Sequence, residues 1–158
     1  MAFLRSLQNS AFTDWFLGSD SIWTYPTILT LHTVGMAMLV GASIVVHLRA
    51  LQVGAGFPIE RLRPLYNIIW TGFAINLFSG VVLFVTEAAD RAVDPVFYVK
   101  LASIALALWL GVIVKHRVID RVNAPSGTLC ATRLLSLGSL GLWTAAIVAG
   151  RLMAYLKK

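Results

Sequence analysis

Four apolar stretches dominate the chain, at about residues 22–51, 64–86, 95–118 and 129–156. Crossing the hydrocarbon of a bilayer takes roughly 20 residues of helix, and each stretch supplies that. Lipid offers no partners to backbone N–H and C=O groups, so a spanning segment of this length must be an α-helix. Composition agrees. Of 158 residues, 58% are hydrophobic and 13% charged, against roughly 45–50% and about 25% in soluble domains. Disorder is excluded by the apolar content, and an intrachain disulfide by the single cysteine, Cys130. The size excludes a large soluble enzyme.

The boundaries carry their own chemistry. Trp23 and Tyr25 open the first stretch as interfacial aromatics do, and Pro26 is tolerated in a first turn. Pro64 opens the second, and Asp94-Pro95 is a cap followed by proline at the third. The connections are short: Gly54-Ala55-Gly56-Phe57-Pro58, an acidic turn from Glu87 to Asp94, and Asn123-Ala124-Pro125-Ser126-Gly127. Short connections predict an all-α, up-down-up-down four-helix bundle forming a single transmembrane domain over residues 1–158. Ahead of it, Leu4, Leu7, Phe12, Trp15 and Phe16 recur at helical spacing. They predict an amphipathic helix over about 3–18, lying in the membrane surface or on the end of the bundle. This segment lacks the uninterrupted apolar core of a secretory signal.

The net charge is +6, but the cations sit mostly at the ends of apolar stretches, where they meet lipid head groups. There is no basic stripe or motif for nucleic acid, so the expected partner is the lipid bilayer. One side of the bundle collects Arg49, Arg61, Arg63, Lys115, Arg117, Arg121 and Arg133, and the other Arg5, Arg91, Lys100, Arg151, Lys157 and Lys158. The small excess on the first side places both termini outside the cytoplasm of a bacterial inner membrane.

Ionisable groups inside a span are costly, about 2.5–3.5 kcal/mol at a helix centre, and mark functional positions. His32 falls roughly 7–8 Å to the outer side of the midplane, and Lys100 and Arg151 roughly 10–12 Å outward, from the helical rise. Tyr155 follows Arg151 by one turn. If these side chains face inward they form an outer-leaflet site. Haem b fits that set: His32 as an axial ligand, with Lys100 and Arg151 against the propionates. Gly35 and Gly41 would let a flat macrocycle approach the first helix. The structural alternative has His32 hydrogen-bonding a neighbouring helix while the cations snorkel to head groups.

His47 and His116 lie at matching depths near the cytoplasmic ends of the first and third spans and form an alternative ligand pair. Their neighbours Arg49, Lys115 and Arg117 equally suit a wet, basic interface. Asn76, Trp109 and Trp143 fall near mid-span, where Asn76 is expected to accept from an indole N–H and act as polar glue. Ala102, Ser103, Ala105, Ala107 and Gly111 suit close helix packing, and Met36 and Met38 suit core packing. No P-loop, dinucleotide fingerprint, zinc-protease motif or hydrolase nucleophile constellation is present.

Several segments resemble a family of small bacterial four-helix membrane proteins classed as a domain of unknown function. They are Trp23-Thr24-Tyr25-Pro26, His32-Thr33-Val34-Gly35 with Gly41, and Leu48-Arg49-Ala50-Leu51, followed by Asp94-Pro95-Val96-Phe97-Tyr98-Val99-Lys100 and Trp143 with Ala149-Gly150-Arg151-Leu152-Met153-Ala154-Tyr155. The resemblance implies that His32, Arg49, Lys100 and Arg151 matter, and it implies no activity. It departs at His47, where the family usually carries an acid, and before His32, where a second acid is missing. The layout is more loosely similar to b-type cytochrome and copper-resistance membrane proteins. The expected function is electron transfer within the membrane by a haem b subunit, to or from a quinone or partner protein, in a homo-oligomer or larger complex. The alternatives are a structural or accessory subunit and a carrier of metal ions or small solutes.

Overall fold

The computed structural model describes residues 2–18, 23–53, 58–118 and 128–155. The described chain is all-α: α1 (Ala2–Gln8), α2 (Ala11–Gly18), α3 (Thr24–Ala50), a 3-10 turn at Ile59–Leu62, α4 (Arg63–Thr86), α5 (Ala88–Arg91), α6 (Pro95–Val118) and α7 (Thr128–Tyr155). Helices α3, α4, α6 and α7 are each long and apolar enough to cross a membrane. Their outward faces make sense only in lipid: Phe78 is 62% exposed and Leu134 66%. Threonines on those faces bond back into their own helices, Thr33 Oγ1 to the Leu29 carbonyl and Thr144 Oγ1 to the Leu140 carbonyl, so they present no open hydroxyl proton to hydrocarbon.

The N-terminal segment differs from the single helix expected. It breaks at Asn9-Ser10 into α1 and α2, because the Ser10 hydroxyl accepts from the Thr13 N–H at 3.4 Å and caps a new helix. Phe16 is buried there and meets Tyr25 edge-on at 6.5 Å, whereas Trp15 is exposed. The side chains of Leu4, Leu7 and Phe12 lie outside the described residues, as do the 54–57 and 119–127 connections. The acidic turn contains α5. Its N-terminal Ala89 N–H is taken by Gln8 Oε1 at 3.2 Å, and Arg91 pairs with Glu87 at 2.7 Å.

Two compact units divide the chain, one of residues 1–39 with 70–94 and the other of residues 40–69 with 95–158. In the first unit, α3 and α4 touch backbone to backbone. A Cβ on Gly72 would stand 2.6 Å from Leu39 N and 2.9 Å from the Gly35 carbonyl oxygen. One on Gly35 would stand 2.9 Å from Asn76 N. Only glycine permits that approach, and small residues are what helices in lipid use to pack closely.

In the second unit α6 and α7 run antiparallel in contact. The Ser139 hydroxyl donates to the Ala107 carbonyl at 3.2 Å, and Leu110 lies over Gly138. The buried positions of α7 include Thr132, Ser136, Ser139, Trp143, Ala146, Ala149 and Met153, a stripe recurring every three or four residues. At the C-terminal end of α3, Gln52 takes φ 67°, a conformation that helix ends usually give to glycine. The Gln52 N–H reaches the Arg49 carbonyl and the Val53 N–H the Leu48 carbonyl, while Arg133 donates to Gln52 Oε1 at 2.7 Å. The side-chain bond gives this glutamine a use that glycine would lack.

Candidate functional site

His32 lies about two turns into α3 and is half-buried. Its Nδ1 is 3.0 Å from the Ser79 hydroxyl of α4. That hydroxyl has one proton, and carbonyl oxygens only accept. Ser79 Oγ stands 2.7 Å from the Ile75 carbonyl and 3.3 Å from that of Asn76, so the proton is committed to the helix backbone. Ser79 is therefore set to accept from His32, which puts a hydrogen on Nδ1. Gly80 makes room for the ring: a Cβ there would lie 3.3 Å from His32 Cε1. An imidazole whose second nitrogen is held by a fixed hydrogen bond is the form in which histidine ligates metals.

Gly35 plays a different part from the one expected. The space beside it is filled by the α4 backbone, so it offers no face to a macrocycle, while Gly41 is open with no atom within 4 Å of a Cβ position. The close helix contact next to His32 was not visible from α3 alone. It needed Gly72 as its counterpart.

Lys100 and Arg151 belong to the second unit, as does Tyr155, and His32 belongs to the first. Within the second unit, the stem of Lys100 lies across Gly150, its Nζ 3.8 Å from the Cβ position. Arg151, the next residue, is exposed, and Tyr155 is 81% exposed one turn on. The α6–α7 pair thus brings two cations to one end, a pairing suited to a carboxylate or a phosphate.

The second histidine pair separates by environment. His47 is 1% exposed, and its Nε2 stands 3.9 Å from where a Gly111 Cβ would be. His116 is exposed. A wet interface therefore suits His116 and not His47, because the fold packs His47 into the notch that Gly111 leaves on α6. Near it, the Tyr66 hydroxyl donates to the Gly111 carbonyl at 3.4 Å, and Lys115 Nζ lies 5.3 Å from the Tyr66 ring centre.

The mid-span polar residues also depart from expectation. Trp109 is 61% exposed and faces outward. Asn76 and Trp143 are buried, yet neither Asn76 Oδ1 nor Trp143 Nε1 has a hydrogen-bond partner among the described residues. Ser79 and Gly80 went unnoticed in the sequence. A serine one residue before a glycine in a span is common, and only its facing His32 gives it meaning. Among the described residues no three His, Cys, Asp or Glu side chains gather to hold a metal ion. No family model, curated protein or solved structure matches the chain.

Proposed function

We propose that this protein is a haem b-binding membrane subunit that passes electrons within the bilayer, with His32 as an axial ligand through Nε2. The observation that carries the reading is the Ile75–Ser79–His32 hydrogen-bond chain. It holds a hydrogen on Nδ1, as second-shell partners of ligating histidines do, and in this reading Nε2 is the ligating atom. The residues present fit one axial position. Gly80 gives the ring its place, and Ser79 holds its orientation. When bound, haem supplies one-electron chemistry whose potential follows the axial ligand and the burial of the site. The redox partner in this reading is a quinone or another protein of a larger complex in the inner membrane.

A structural or accessory subunit is the second reading, favoured by the glycine-to-glycine closure of α3 on α4 beside His32. Absorption spectra of the protein purified in mild detergent, oxidised and then dithionite-reduced, separate the two. The haem reading expects a Soret band and sharp reduced α and β bands that vanish in His32→Ala. In Ser79→Ala the bands persist, with haem affinity lowered about 10–100-fold. A folded, colourless protein from cells supplied with haem overturns it in favour of the accessory subunit.

A further inference from the structure

The second unit buries a histidine that the proposed function does not use. His47 is almost wholly enclosed, and its Nδ1 has no hydrogen-bond partner among the described residues. On α7, Ser136 is fully buried, and its Oγ likewise has none. The packing of α6 on α7 relates the two. Ser139 bonds the Ala107 carbonyl and Gly138 meets Leu110, so in this antiparallel pair Ser136 comes level with Gly111. Gly111 is the residue over which the His47 ring stands. Two orphaned polar atoms therefore share one level of one unit. The Tyr66 hydroxyl also comes to this level, donating to the Gly111 carbonyl at 3.4 Å.

Leaving such atoms unsatisfied forfeits the hydrogen bonds they would otherwise make. Two in one place call for a guest that can both donate and accept. The enclosure limits its size, because His47 and Ser136 expose almost nothing. Water is the guest that meets both conditions, and buried waters typically make about three hydrogen bonds. We propose that a water molecule is bound between His47 Nδ1 and Ser136 Oγ, making an internal hydration site in the second unit. His47 is thereby a proton-exchangeable group inside the membrane-spanning region. This inference is independent of haem and holds for a colourless protein as well.

Solid-state NMR of the full chain in bilayers, with ¹⁵N-histidine and water-to-protein magnetisation transfer, tests it. His47→Gln and His116→Gln assign the signals. The expected result is transfer from water to the His47 ring in the wild type, lost in Ser136→Ala and retained in Ser136→Thr, which keeps the hydroxyl. A His47 ring that receives nothing from water, while exposed His116 does, overturns the proposal. So does a His47 signal unchanged by Ser136→Ala. If Ser136→Ala fails to fold, Ser136→Cys, which replaces the hydroxyl by a weakly bonding thiol, takes its place with the same expected loss.

Discussion

The two units solve the same problem in different ways. Where α3 meets α4 in the first unit, main chain lies on main chain, and Gly35 and Gly72 have no side chain to yield. Where α6 meets α7 in the second, the contact runs through a serine hydroxyl, a leucine over a glycine, and other small residues. Lipid tails are as apolar as leucine, so helices in a bilayer associate by close packing and hydrogen bonds rather than by escape from water. A backbone contact is intolerant of any added atom. A side-chain contact can readjust, and loses only the bond that was removed.

The comparison breaks most visibly at Gly72. Gly72→Ala places a methyl 2.6 Å from Leu39 N, which cannot move without shifting α3. We expect a loss of about 3 kcal/mol, read as a lowered midpoint on titrating mixed micelles with a denaturing detergent. Gly141→Ala, at a glycine with nothing within 4 Å, is the control and should move that midpoint by under about 0.5 kcal/mol. Equal effects at the two positions would remove the distinction between the contacts.

A smaller effect sharpens the other side. Ser139→Ala removes the hydroxyl that reaches the Ala107 carbonyl and should cost about 0.6 kcal/mol, the average for such bonds between membrane helices. A loss as large as that of Gly72→Ala would mean that the second contact is as unforgiving as the first. The smallest effect is expected at the Glu87–Arg91 pair, which is partly exposed and outside the spans. Glu87→Gln should cost about 0.3–0.5 kcal/mol at low salt, and less as salt is raised.

Hydropathy along the chain was enough to locate the four spans to within a few residues of α3, α4, α6 and α7. It could not say which faces of α3, α4 and α6 turn inward, since these helices are apolar all round and carry little periodic signal. That is why Trp109 was expected among polar partners and faces outward, and why Gly35 read as a cofactor surface. His32 stood out because an imidazole in a span is rare. Ser79 did not, because a hydroxyl in a span satisfies itself on its own backbone and carries no cost that the sequence would reveal. The break at Ser10 was legible in principle, as a serine with a hydroxyl-bearing residue three positions on, but the continuous apolar spacing concealed it.

The Ser79 hydroxyl spends its proton on the Ile75 carbonyl, and through that choice it turns a lone pair toward His32 Nδ1. The imidazole is wired to the pitch of α4. The hydrogen on its Nδ1 is in this sense a mechanical property, set by how one turn of a neighbouring helix is wound.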